Sequence, residues 1–160
     1  MIKIFSTGGT IDKIYFDAKS EFQVGLPLIN EIFAEAFVSI PYEVESIMRK
    51  DSLEIDDSDR SLIRSTIEND PNRHIIVTHG TDTMVKTGMA LLDIPDKTII
   101  LVGAMQPARL RSTDAVFNVG FAVAAVQTLP EGIYIAMNAQ IFDPRSTVKN
   151  VPENRFEQIA

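Results

Sequence analysis

At 160 residues, with 45% hydrophobic and 23% charged side chains, the chain has the size and composition of one ordinary globular domain, not of a disordered segment. A formal net charge of −7 disfavours nucleic acid or an anionic membrane as partner, because phosphate binding requires a basic surface. Without cysteine there is no disulfide, thiolate chemistry or zinc–sulfur site, and with His74 and His79 as the only histidines a histidine-rich metal centre is not expected.

The opening residues run straight into a strand pattern at Ile2–Ser6, with no basic region followed by a long apolar segment, so a cytoplasmic setting is the expectation. Pro27–Phe37 follows as a helix, its apolar residues Leu28, Ile29, Ile32, Phe33 and Ala36 fitting the helical period. Phe37–Ile47 is a second strand candidate. It is long for a strand and contains Pro41, which makes part of it turn or edge. Asp56-Asp57-Ser58-Asp59 is rich in capping residues and precedes Leu62, Ile63, Thr66 and Ile67 at helical spacing. Next come a strand at His74–Thr78, a helix at Thr81–Leu92 and a strand at Thr98–Val102. Ala115–Thr128 is small and apolar nearly all round, as suits a helix packed closely on a sheet, and Ile133–Asn138 is the fifth strand. Such alternation predicts an α/β fold with a mainly parallel sheet.

Ligands of open α/β sheets bind beyond the carboxyl ends of the strands, near the switch in strand order. Those ends carry polar and glycine clusters here: Thr7-Gly8-Gly9-Thr10-Ile11-Asp12, Lys50-Asp51-Ser52, His79-Gly80-Thr81-Asp82-Thr83, Gly103-Ala104-Met105-Gln106-Pro107, and Asn138-Ala139-Gln140 with Asp143, Arg145 and Lys149 beyond. They are expected to converge on one rim. Each also has a plainer reading. Gly8-Gly9 suits a tight turn, and Thr81, Asp82 and Thr83 are good helix caps. Lys149 taken alone is a surface lysine, His79 a hydrogen-bonding residue at a strand end, and His74 a surface or strand-edge residue. The first loop lacks the Gly-Lys-Ser/Thr ending of a Walker loop and the third glycine of a dinucleotide fingerprint, so a phosphate or nucleotide binder rests on fold alone.

Ser6-Thr7-Gly8-Gly9-Thr10-Ile11 and Thr78-His79-Gly80-Thr81-Asp82-Thr83-Met84 together resemble the two signatures of the bacterial-type L-asparaginases. Val102-Gly103-Ala104-Met105 with Pro107, Phe117-Asn118, and Asp143-Pro144-Arg145-Ser146-Thr147-Val148-Lys149 extend the likeness over nearly the whole chain in the family's order. The resemblance implies a flavodoxin-like three-layer domain of the amino-terminal, active-site-bearing kind. It implies hydrolysis of the side-chain amide of L-asparagine or a related small amide, with no cofactor or metal. By motif position, Thr10 is the nucleophile and Thr81 the second active threonine. Asp82 is the neighbouring carboxylate that orients the substrate's ammonium, Lys149 is the lysine paired with that group, and Ser52 binds the substrate carboxylate. Gly9 lets the main chain approach the substrate closely, and backbone N–H groups near Gly9 and Thr81 steady the oxyanion. Whether Lys149 acts as base, positive stabiliser or proton shuttle stays open.

Three features depart from the family. Phe22 stands where a tyrosine of the loop after the nucleophile is expected, with Tyr15 the nearest hydroxyl-bearing ring. Leu53 follows Ser52 where a polar substrate contact is usual. The chain stops at Ala160, about where a linker to the family's second domain would begin, so the expectation is either a natural single domain, completed by a homodimer or higher oligomer, or a fragment of a longer protein. The alternative to an enzyme is a binding module for a small amino acid.

Overall fold

In the computed structural model, which describes residues 1–159, five apolar runs become the parallel strands of one sheet. The elements in chain order are β1 (Ile2–Gly8), β2 (Lys13–Phe16), β3 (Glu21–Val24), α1 (Ile29–Glu35), β4 (Tyr42–Lys50), α2 (Asp57–Asn69) and β5 (His74–Thr78). After them come α3 (Met84–Ala90), β6 (Thr98–Val102), α4 (Ala115–Thr128), β7 (Gly132–Met137), β8 (Gln140–Phe142), β9 (Thr147–Asn150) and β10 (Arg155–Gln158). The main sheet has the order β4-β1-β5-β6-β7-β8, parallel except for β8, which returns antiparallel along β7. This is the flavodoxin-like order plus one edge strand, and its switch point lies between β1 and β5, which start the chain's two directions of growth. β2–β3 and β9–β10 are separate antiparallel hairpins.

β1 and β6 are buried along their whole length, as befits strands covered on both faces. Each fully buried isoleucine or leucine there contributes about 1.5–3 kcal/mol through removal of apolar surface from water. One cation shares this layer. Lys3 lies almost wholly buried, 3.0 Å from Glu43 and 2.8 Å from Glu45; desolvation lowers its pKa, and the two carboxylates more than offset this, so that it stands raised.

The helices divide unevenly between the faces. Phe33 of α1 packs edge-on to Tyr42, and α1 shares an apolar groove with α4 through Ile32, Phe33, Val119 and Val123. α2 ends where its Asp70 approaches Lys3 on the opposite face, and Arg64 of α2 caps the carbonyls of Ala90 and Leu92 beyond α3. β4→β5 and β5→β6 step in one direction with helices on the second face, while β1→β4 steps the other way with its helix on the first, so these three crossovers share one hand. β6→α4→β7 steps in the former direction but keeps its helix on α1's face, so its hand is opposite. Given the strong right-handed preference of such units, this crossover is the rare left-handed kind. The connection from Gly103 to Asp114 that makes it passes over the rim, where Ala108 N–H donates to the Ile11 carbonyl at 3.1 Å.

Several boundaries differ from the expectation. The second strand is Tyr42–Lys50, not Phe37–Ile47. Phe37 adopts a left-handed φ of 53° that ends α1, and Pro41 offers only its carbonyl, which accepts from Ile2 N–H at 3.0 Å. The strand then runs on to Lys50 because β1 pairs with it as far as Gly8. The Pro27–Phe37 helix contracts to Ile29–Glu35, and Thr81–Leu92 to Met84–Ala90, with Thr81 to Thr83 in a turn. The last parallel strand stops at Met137, since Asn138 and Ala139 take left-handed conformations that turn the chain into β8. His74 opens β5 in the middle of the sheet, half-buried, and is not at an edge.

Candidate active site

The first loop owes its shape to two glycines. Gly8 and Gly9 have φ of 98° and 88°, a region that strains any residue with a Cβ. A Cβ on Gly9 would stand 2.4 Å from the Gly80 amide nitrogen, and one on Gly80 would stand 2.5 Å from Ser52 Cβ. The loops after β1, β4 and β5 are therefore in close contact at the switch point, Gly9 against the Gly80 backbone and Gly80 against the Ser52 side chain. Thr7 Oγ1 donates to the Thr78 carbonyl at 2.9 Å, and Thr83 Oγ1 donates to the Ser52 carbonyl at 2.6 Å, which lock the three together. Thr10 begins the short 3-10 turn Thr10–Asp12 directly after Gly9 and is half-buried.

A second set comes from the far end of the chain. β9 carries Lys149, whose Nζ donates to Thr81 Oγ1 at 2.8 Å and to Asp82 Oδ1 at 2.6 Å. Lys149 is only 14% exposed in its side chain and Asp82 42%, so the pair lies at the mouth of the site with its cation on the inner side. Capping is not what the residues before α3 do. Its N-cap, Thr83, makes no side-chain cap bond, and all three hydroxyl or carboxyl groups are engaged across the rim instead. Ser52 is buried in its own 3-10 turn, which Asp51 caps and which Lys13 anchors through Asp51 Oδ2 at 2.9 Å.

Two titratable groups beneath the loops are displaced by burial. His79 is fully buried between the Gly80 carbonyl, 2.7 Å from Nδ1, and Thr87 Oγ1, 2.8 Å from Nε2. A carbonyl only accepts, so Nδ1 carries the proton and the Thr87 hydroxyl donates to Nε2. Desolvation pulls its pKa down to about 4, which keeps the ring neutral. His79 is thus a strand-end hydrogen-bonding residue, as its sequence position suggested. Asp12 is the converse case, its carboxyl pushed up to about 6 by burial against the pull of hydrogen bonds from Leu28 and Ser6.

With this geometry in place, comparison with known proteins is decisive at the level of family. The Asparaginase, N-terminal family model matches residues 1–157. The chain belongs to the asparaginase family. It is 29% identical to a glutaminase-asparaginase of Acinetobacter glutaminasificans, over 94% of this chain and 50% of that protein. It is likewise 29% identical to L-asparaginase 2 of Escherichia coli, over 92% of this chain and 46% of that protein. Among solved structures, the thermostable L-asparaginase from Thermococcus kodakarensis superposes with a TM-score of 0.86 at 25% identity, covering 99% of this chain and 51% of that one. The chain spans about half the length of the curated relatives it matches.

Within the asparaginase frame, Gly9, Ser52, Thr81, Asp82 and Lys149 all meet at one rim, with Thr10 on the adjoining turn. Two details depart from the oxyanion arrangement anticipated. The Gly9 N–H is committed to the Lys50 carbonyl at 2.9 Å, and Thr81 lies three residues ahead of α3, outside its first turn. Phe22 and Tyr15 turn out to be cross-strand partners in the β2–β3 hairpin, their rings edge-on at 5.6 Å and about half exposed. Leu53 is 74% exposed beside the buried Ser52. Sequence reasoning assigned no role to Asp12, Lys13 or Asp51. The signal available for Asp12 and Asp51 was their place in the polar clusters after β1 and β4, while Lys13 lies just outside the first; nothing in a linear pattern distinguishes a buried aspartate from a capping one.

Proposed function

We propose that this domain is an asparaginase-like amidohydrolase that cleaves the side-chain amide of L-asparagine or a related small amide. The observation that supports the reading is Lys149 Nζ bridging Thr81 Oγ1 and Asp82 Oδ1, next to Gly80, which abuts Gly9 in the loop that leads into Thr10. Thr10 Oγ attacks the amide carbon and loses its proton to the leaving nitrogen, which departs as ammonia. Water then hydrolyses the acyl-threonine ester and returns the proton to Thr10. Lys149 and Thr81 relay these protons and offset negative charge. Backbone N–H groups of the two loops other than that of Gly9 meet the oxyanion, an interaction worth roughly a hundred- to a thousandfold in turnover for each donor. Asp82 takes the substrate's ammonium and Ser52 its carboxylate end, while Gly9, lacking a side chain, lets the substrate approach the main chain closely. A cytoplasmic setting and a homo-oligomer whose second copy closes the open mouth belong to the same reading. The cytoplasmic setting is supported by the name of one similar protein, a probable cytoplasmic L-asparaginase from Campylobacter jejuni, whereas one from Haemophilus influenzae is named periplasmic.

The test is ammonia release from asparagine, glutamine and small amides by the wild-type chain. Thr10→Ala should lower it by roughly a thousandfold or more, and Lys149→Met by roughly a hundredfold. Full activity of Thr10→Ala would remove the nucleophile from the proposal. A second reading, a small-amino-acid binding module, is favoured by Phe22 and exposed Leu53. Calorimetry showing micromolar aspartate binding with no ammonia released at any substrate concentration would select it.

A further inference from the structure

Asp12 is a buried carboxylate for which the proposed chemistry has no use. It closes the turn that begins at Thr10, is 2% exposed, and has both oxygens engaged: Oδ2 accepts from Ser6 Oγ at 3.0 Å and Oδ1 from Leu28 N–H at 2.9 Å. Its main-chain carbonyl accepts Gly25 N–H at 2.8 Å. One residue therefore joins the end of β1, the turn carrying Thr10, and the point where the chain returns into α1. Everything between these ties, Lys13 to Val24, is the β2–β3 hairpin. That hairpin places no fully buried side chain in the core, and it stands beside the Ser52 loop across a cleft lined by Phe22, Val24, Asp51 and Glu54. Its root is held by polar ties, from Asp12 and from Lys13 to Asp51, beside the half-buried Val24 and Ile14, which lie against Gly8 and Gly25. Burying an ionisable group carries a free-energy cost, here visible as a carboxyl displaced to about 6 by desolvation. A residue kept at such a cost next to a candidate nucleophile calls for a task that a small apolar residue would not perform.

We propose that Asp12 is a positioning residue, a clasp that fixes the root of the β2–β3 hairpin to β1 and α1 and thereby sets the turn on which Thr10 is presented. Its bearing on turnover rests on the reading of Thr10 as nucleophile; the clasp itself does not. The arrangement requires two polar atoms pointing apart, an acceptor for Leu28 N–H and a hydrogen-bonding partner for the Ser6 hydroxyl, which asparagine keeps and alanine lacks.

The experiment is hydrogen exchange followed by mass spectrometry on the full chain, with ammonia release measured in parallel, for wild type, Asp12→Ala and Asp12→Asn. Asp12→Ala should speed exchange of the amides from residue 13 to residue 28 at least tenfold while β5 and β6 exchange as in wild type, and kcat should fall at least tenfold with KM nearly held. Asp12→Asn still offers Oδ1 to Leu28 and can donate from Nδ2 to Ser6 Oγ, so it should restore hairpin protection and turnover to within about threefold. Unchanged hairpin exchange in folded Asp12→Ala, or acceleration spread evenly over the whole chain, overturns the clasp. If Asp12→Ala does not fold, Ser6→Ala and Asp12→Ser answer the same question, with loosening confined to the hairpin expected and a uniform change refuting it. A wild-type chain that releases no ammonia defeats the proposed function, while the exchange comparison continues to decide the clasp.

Discussion

Asp12 and His79 lie under the same rim and titrate in opposite senses, which makes the pH dependence of stability a sensitive test of the buried layer. His79 has its pKa lowered from 6.5 to about 4, so the unfolded chain takes up a proton that the folded chain refuses, and stability is lost as the pH falls through that interval. Asp12 has its pKa raised from 3.8 to about 6, so the folded chain holds a proton that the unfolded chain has released, and stability is gained as the pH falls through nearly the same interval. At about 1.4 kcal/mol per pH unit, each effect is worth about 3 kcal/mol. They nearly cancel between pH 6.5 and pH 4 in the wild-type chain. Asp12→Asn removes one of the pair while keeping the shape. The variant should be more stable than wild type by up to about 3 kcal/mol at pH 7, and the advantage should shrink as the pH falls from 6 towards 4 and vanish only below the unfolded value of 3.8, where Asp12 is protonated in both states. Urea unfolding of the two proteins across this range measures it. The surface carboxylates held low by cationic partners, such as Asp59 beside Lys50, are common to both proteins and drop out of the difference. Parallel stability curves for wild type and Asp12→Asn would refute the reasoning, because they would mean that Asp12 ionises as freely in the fold as outside it.

Two further substitutions probe the packing of the loops. Gly9→Ala forces a Cβ to within 2.4 Å of the Gly80 nitrogen at a φ of 88°, and should cost about 2–4 kcal/mol in thermal or urea unfolding. Gly120→Ala is the control: its new Cβ meets nothing within 4 Å on α4, and it should stabilise the helix by about 0.5–1 kcal/mol. Equal effects of the two would show that the Gly9–Gly80 approach is not a constraint. Thr87→Val removes the hydroxyl that donates to His79 Nε2 and leaves a buried acceptor unmet, at an expected cost of about 1–3 kcal/mol in urea unfolding. An unchanged midpoint would mean that the imidazole is satisfied otherwise.

Much of the site was legible before any coordinates. Short apolar runs ending in glycine, threonine and acidic residues mark strand ends wherever they occur, and Thr10, Ser52, Thr81, Asp82 and Lys149 stand in such runs. What a linear pattern could not supply was their partners. Thr81, Asp82 and Thr83 have the composition of a helix cap, and only contact with Lys149 and the Ser52 carbonyl shows that these side chains serve the rim instead. The hairpin of Lys13–Phe16 and Glu21–Val24 was not assigned because each strand is only four residues long, so that the alternation of Phe22 and Val24 with Glu21 and Gln23 is too short to mark a strand. The second strand was displaced because the apolar alternation of Val38, Ile40, Tyr42 and Val44 continues unbroken through the region, whereas the left-handed Phe37 and the missing N–H of Pro41 decide where pairing begins.

The sequence by itself determined the fold class, the parallel strands and the family likeness, because burial of apolar periods and the backbone freedom of glycine act locally and leave their marks in neighbouring residues. Tertiary structure alone decided the left-handed passage of α4, the contacts of Gly9 with Gly80 and of Gly80 with Ser52, and the opposed titrations of Asp12 and His79. Each of these depends on which distant surfaces come together and exclude water, and neither desolvation nor handedness can be assigned to a residue until its neighbours in space are known.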